Sequence, residues 1–202
     1  LYVSWKIASE IYSNLRTGAN LQSSIKLRCN EQLAGRGVCL HGSGFLVGET
    51  EMDLWGHKYL ESVVRLYCNG RDIVSKSRQL YVIDFFGLTE EQASRYTEDN
   101  WWLFGETMPK TRYSINSLSR YIATPETAKH RVFQFLESRV LPDNKLVVIA
   151  LEDAYFLGIL SSQVHVTWAF TVGSRLEDRP VYPKSTCFDP FPFPDPTPEQ
   201  KQ

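Results

Sequence analysis

The chain has 202 residues, with 22 Lys+Arg against 23 Asp+Glu and a formal net charge of −1. Hydrophobic residues make up 43% and charged residues 22%, ordinary globular values that exclude a disordered or collagen-like chain. The length suits one large domain or two small ones, and a charge this near zero excludes uniformly strong nonspecific DNA binding, which comes from many bases displacing counterions.

Val3, Ile7, Ile11 and Leu15 recur at a spacing of four, predicting an opening helix that stops at Thr17-Gly18. Gly35, Gly37, Gly42, Gly44 and Gly48 then punctuate two apolar runs, 38–40 and 45–47, which read as short strands joined by tight turns. Residues 63–68, ended by the turn signal Asn69-Gly70, and the aromatic and β-branched run 80–86 are the next strand candidates. Thr89 followed by Glu90, Glu91 and Gln92 has the composition of a capped helix start, so a short surface helix is expected from Thr89 to about Tyr96. Trp101-Trp102-Leu103-Phe104 forms an aromatic anchor.

In the second half, residues 120–123, 130–136 and 145–151 are strand candidates. Thr124-Pro125 and Leu141-Pro142-Asp143-Asn144 separate them, and such short connections predict an antiparallel meander. Phe156, Ile159, Leu160, Gln163, Val164 and Trp168 step by three and four, with Asp153 as cap and Gly173 as stop, predicting one long helix over 153–172. His165 and Trp168 on that helix are assigned to the core. From Asp189 onward Pro190, Pro192, Pro194, Pro196 and Pro198 exclude helix and central strand, leaving an extended strap pinned by Phe188, Phe191 and Phe193. The sum is an α+β fold, β-rich, with antiparallel strands, an N-terminal helix and one long helix after the C-terminal meander.

Absent motifs constrain function as much. The sequence has no phosphate loop, no Gly-x-Gly-x-x-Gly and no His-Glu-x-x-His, and Ser43 in HGSGF lacks the surroundings of a nucleophile elbow. Cys39, His41, His57 and Cys68 match no common zinc spacing. Asp143, Glu152 and Asp153 lack the lysine that would complete a nuclease cluster, and Asp153 reads better as a cap. No catalysis by this chain alone, and no cofactor or metal of its own, is indicated. The apolar runs are far below the roughly 18 residues of a membrane span. Four cysteines at irregular spacing fit a reduced, cytoplasmic setting.

Charge is segregated along the chain. Arg65, Arg71, Lys76 and Arg78 form one basic stretch, and Lys110, Arg112, Arg120, Lys129, Arg131, Arg139 and Lys145 a second, with Glu90, Glu91, Glu98, Asp99 and Glu106 between them. Folded onto one face, the two stretches would make a positive patch of the kind that contacts phosphates. Solvation of strand and turn surfaces is the competing reading of the same residues.

The strings RYIATPETAKHRVFQFL (120–136) and LPDNKLVVIALEDAYFLGILSSQVHVTWAFTVGSRLEDRPVYPKSTCFDPFPFP (141–194) resemble the target recognition domain of MmeI-like single-chain DNA methyltransferases, enzymes of restriction-modification and phage-defence systems. GRGVCLHGSGFLV, RLYCNGRDI, YVIDFFGL and WWLFGE agree in the same order, although the run between Tyr96 and Trp101 is shorter than in the family. The resemblance implies a division into a helix and linker from a preceding methyltransferase domain (1–24), a DNA target recognition domain (25–188) and a proline-rich exit linker (189–202). It implies double-stranded DNA as partner, in the bacterial cytoplasm. It also implies adenine-N6 methylation with S-adenosylmethionine by another domain of the same polypeptide, sometimes fused to a nuclease, because the Asn-Pro-Pro-Tyr and glycine-rich cofactor motifs are missing here. Base-reading candidates carried over are Arg175, Glu177 and Arg179 after the long helix, with Asn144, Lys145 and Thr124 at the meander loops. Phosphate candidates are Lys129, His130, Arg131, Arg71 and Lys76. A protein-interaction domain with no DNA role is the alternative.

Overall fold

The apolar runs of the second half become the most deeply buried strands, because each turns one side chain to either face of a sheet covered on both sides. In a computed structural model, the structure describes residues 20–40, 42–50, 63–94 and 104–201. The opening helix expected over 3–15 and the residues Trp101, Trp102 and Leu103 lie outside them. In chain order the strands are β1 (Ala34–Arg36), β2 (Leu46–Val47), β3 (Val64–Cys68), β4 (Leu80–Ile83), β5 (Arg120–Pro125), β6 (Gln134–Glu137), β7 (Leu141–Pro142), β8 (Leu146–Ile149), β9 (Ser174–Leu176) and β10 (Arg179–Val181). The helices are α1 (Gly70–Val74), α2 (Glu90–Ala93), α3 (Pro109–Asn116), α4 (Ala154–Ser161), α5 (Gln163–Val172) and α6 (Lys184–Cys187).

One four-stranded sheet has the order β1-β8-β5-β6, all antiparallel, and a second the order β2-β4-β3-β7, with β7 parallel to β3. Strands β9 and β10 pair as a separate hairpin. In β8, Val147 and Ile149 face one cluster with Phe133, Leu160, Ala169, Tyr182 and Phe188, while Leu146 and Val148 face another with Ile73, Ile115, Tyr121 and Ala123. This period of two, with apolar partners on both faces, explains why the run LVVI shows no polar alternation.

Several expectations are corrected. The three strands of the second half are not a meander: β5 lies between β6 and β8, and the 141–144 connection makes β7, which visits the other sheet. There the Val38 amide donates to the Pro142 carbonyl (2.8 Å) and the Asp143 amide to the Cys68 carbonyl (2.8 Å), so this segment joins the two sheets. Thr124-Pro125 belongs to β5 rather than to a turn, because Pro125 sits opposite Leu146 at the strand end. Strand β6 starts only at Gln134, since residues 126–131 are drawn toward the β9–β10 hairpin. Val38 and Cys39 form single bridges, to Asp143 and Glu106, and the regular strand lies earlier, at β1.

The long helix is two. Ser162 is extended (φ −66°, ψ 154°), donates its hydroxyl to the Ile159 carbonyl (2.6 Å) and accepts from the His165 amide (3.3 Å), closing α4 and capping α5 with one side chain. Asp153 and Gly173 cap and stop where expected. Asn69-Gly70 is not a turn but the start of α1: Asn69 accepts from the amides of Arg71 and Asp72 while Asp72 accepts from that of Asn69, a reciprocal capping box. A similar box between Thr89 and Gln92 starts α2, which the described residues show over Glu90–Ala93. Helix α3, with Pro109 in its first turn, was not anticipated. The proline strap forms no helix or strand over 191–197 and ends in a 3-10 turn at Pro198–Lys201. Phe188 and Phe191 are buried and Phe193 packs on the same cluster, as expected. No helix among the described residues is long and apolar enough to cross a membrane.

Candidate nucleic-acid interface

The β9–β10 hairpin turns in two residues, Glu177-Asp178, and Glu177 takes the left-handed conformation (φ 59°) that glycine would occupy without strain. Arg175, Leu176, Glu177, Asp178 and Arg179 are all exposed. At the tip an Arg179 Nη2 donates to Glu177 Oε2 (2.8 Å), with the side chains 48% and 74% exposed. Such a pair holds little energy in water, so each partner is free to exchange it for a base edge. The forked guanidinium matches guanine O6 and N7, and the carboxylate matches the cytosine N4 amine. A two-stranded ribbon also fits the width of the major groove.

The root of this hairpin is tied to the other candidate loops through residues 126–128. The Tyr182 amide donates to the Glu126 carbonyl (2.7 Å), the Ala128 amide to that of Pro180 (3.3 Å), and the Glu126 amide to that of Lys145 (2.8 Å). Segment 126–128 therefore sits between the hairpin and the 143–145 turn. Beside it runs an open groove of about 650 Å³ with an apolar floor of Ile73, Val74 and Val132 and a rim of Asn69, Arg71, Lys129, His130 and Lys145. Arg71, Lys129 and Lys145 have no carboxylate partner among the described residues, so the rim carries net positive charge. Asp143 at its edge is engaged, accepting from the Tyr67 hydroxyl and from the Lys145 amide (2.9 Å). Burial foremost, then this bond, raises the Tyr67 phenol above its ordinary range.

Fewer bases reach this surface than the chain order suggests. Arg65 (2.9 Å) and the buried Arg112 both pair with Asp84, and Arg78 forks onto Asp72 through Nε (3.0 Å) and Nη2 (2.9 Å). Arg120 donates to the Glu152 carbonyl (3.0 Å) and stacks over Phe135, while Arg139 pairs with Glu137 (2.6 Å). Arg65, Arg78, Arg112 and Arg120 are thus engaged within the fold, whereas the Arg139 pair is exposed and holds little energy; none of the five lines the groove.

The sequence candidates accordingly separate. Arg175, Glu177 and Arg179 share the hairpin, and Arg71, Lys129, His130 and Lys145 share the groove. Lys76 is exposed beyond α1 and does not line it. Asn144 is half-buried, its amide donating to Cys39 Sγ (3.3 Å) and its carbonyl accepting from Arg36 Nε (3.4 Å). Thr124 is 0% exposed, its hydroxyl accepting from Arg131 Nη1 (3.0 Å), so it does not share the open surface of the other candidates. Arg131 turns inward over the ring of Tyr182, away from the rim, and burial lowers its pKa. Arg36, which sequence reasoning passed over, stands exposed near Glu126 (4.0 Å); its place between two glycines gave no signal of this. The role of α1 was also missed, although Asp72 three residues after Asn69 spells a capping box.

No group of three or more metal-ligating side chains occurs among the described residues. Glu152 instead accepts from the amide (3.0 Å) and hydroxyl (3.1 Å) of Ser119, and Asp153 caps α4. All four cysteines are free.

Residues 89–195 match the model of the MmeI target recognition domain family. DNA methyltransferase A of Bacillus subtilis (strain 168) is 31% identical over 94 residues, which are 46% of this chain and 10% of that protein. Among solved structures, the type IIL restriction-modification enzyme MmeI in complex with DNA superposes with a TM-score of 0.74 at 19% identity, covering 96% of this chain and 29% of the other. The chain thus spans a small part of the length of either protein.

Proposed function

The chain belongs to the MmeI target recognition domain family, and from that premise we propose that it recognises a specific double-stranded DNA sequence on behalf of a methyltransferase domain in the same polypeptide. The observation that carries this is the meeting, around residues 126–128, of an exposed hairpin tip bearing a donor and an acceptor with a groove rimmed by cations that have no carboxylate partner among the described residues. The two parts divide the work. Lys129, Lys145 and Arg71 attract and register the phosphate backbone without reading sequence, and Arg175, Glu177 and Arg179 read base edges.

The chemistry then falls to the other domain, as adenine-N6 methylation with S-adenosylmethionine and the target base extruded from the stack. This chain supplies the address and lacks the motifs of that reaction. Its place of action is the bacterial cytoplasm, where the DNA is. The DNA-bound solved enzyme and the curated methyltransferase support this reading.

The test is to express the natural full-length protein in a methylation-free host and map modified adenines, alongside Arg179→Ala. A single short motif, relaxed at one position in the variant, is expected. A motif unchanged in the variant would move base reading off the hairpin. No modified motif, together with no DNA binding by the purified protein, would return the chain to a protein-interaction role.

A further inference from the structure

Arg131 stands where the hairpin meets the central sheet. Its Nη1 donates to the Thr124 hydroxyl (3.0 Å) and to the Pro125 carbonyl, and its Nη2 lies 3.5 Å from the carbonyls of both Glu126 and Pro180. The guanidinium carbon is 5.0 Å from the ring centroid of Tyr182, the residue directly after β10, whose hydroxyl bonds His165 Nε2 at 2.8 Å. One side chain therefore grips the end of β5, the 126–128 segment and the return strand of the hairpin. No carboxylate pairs with it among the described residues, so its contacts follow position rather than charge neutralisation. Only a rigid planar fork reaches several acceptors while lying on a ring; an ammonium cannot.

We propose that Arg131 is a positioning residue for base recognition: it sets the β9–β10 hairpin against the groove and touches no phosphate. This rests on the DNA-reading function proposed above. A hairpin of three residue pairs is marginal by itself and takes its orientation from its root. Base discrimination needs side chains held within about 0.5 Å, whereas attraction to the phosphate backbone tolerates looser placement. Loosening the root should therefore degrade specificity before affinity.

The experiment compares the natural full-length protein with Arg131→Lys, Arg131→Met and Thr124→Val. Each is offered a pool of random-sequence duplexes, and affinities for the selected duplex, its single-base variants and an unrelated duplex are then measured across salt concentrations. For the Arg131 variants, discrimination at the position read by the hairpin should fall about tenfold. Binding to the unrelated duplex should stay within about twofold, with the salt dependence unchanged. Thr124→Val, which removes one acceptor and keeps the charge, should shift discrimination in the same direction by less. Equal weakening of every duplex, with the salt slope reduced by about one, would make Arg131 a phosphate contact and overturn the proposal. Variants indistinguishable from the parent would overturn it too. Should both Arg131 variants fail to fold by circular dichroism, Thr124→Val decides by the same readout. A parent protein that selects no motif refutes the DNA-reading function itself, a result separate from any behaviour of the variants.

Discussion

At the scale of single residues, exposure decides which charges are available and burial decides which are committed. Glu177 and Arg179 pair with each other only in solvent, so replacing either should leave the fold intact and change the base accepted. We expect Glu177→Gln to cost about 1 to 3 kcal/mol for the original base pair, measured by competition between single-base duplex variants. Lys129→Ala should instead weaken all duplexes alike and lower the salt slope by about one, read from binding titrations at several ionic strengths. His165 behaves differently from both. It is 0% exposed, edge-on to Phe191 at 4.3 Å, and burial above all lowers its pKa from 6.5 to about 4. Its imidazole is neutral when folded and becomes charged when unfolded, so its contribution to stability is whole above pH 6.5 and drains away as pH falls toward 4. Thermal unfolding followed across that window should show a loss of at most about 3 kcal/mol, and His165→Phe should flatten the dependence.

At the scale of elements, small polar side chains decide where helices begin and end. Asn69 starts α1 and so presents Arg71 to the groove. Asn69→Ala should cost about 1 kcal/mol by chemical denaturation and weaken DNA binding without altering the preferred motif. Ser162 shows why periodicity alone overextends: the apolar spacing runs unbroken from Phe156 to Trp168, yet one hydroxyl bonded on both sides divides the helix. Periodicity reports which face is buried and does not register a side chain that competes for the backbone. The hairpin escaped sequence reading for a related reason. Its turn, Glu177-Asp178, holds no glycine or asparagine, and Glu177 adopts positive φ only because the flanking strands and the root bonds hold it there.

At the scale of the whole molecule, the ends of the described chain are fastened together. The Asn30 side-chain amide reaches the carbonyls of Phe188 (3.2 Å), Asp189 (3.1 Å) and Phe191 (2.8 Å), and Asp189 is held by Lys184 at 2.7 Å. Asn30 is 2% exposed, so Asn30→Ala should strand buried carbonyls and lower stability by about 2 to 3 kcal/mol. Limited proteolysis should cut the proline strap of Asn30→Ala earlier than that of the parent, in which these bonds hold it.

The sequence by itself determined the α+β class, the strands whose runs are apolar enough to be buried on two faces, the Asp153 and Thr89 caps and the aromatic pinning of the strap. Ordered motifs also carried the family. Each of these depends on neighbours within a few residues, or on a shared string, and so is legible along the chain. Tertiary structure alone decided which charges remain for a partner. Arg65, Arg112 and Arg78 are consumed by Asp84 and Asp72, and Arg131 by uncharged groups at the hairpin root, whereas Arg71, Lys129 and Lys145 converge from distant segments on one groove. Pairing between side chains far apart in sequence is a matter of distance in space, and the order of residues holds no record of it until the sheets have set those distances.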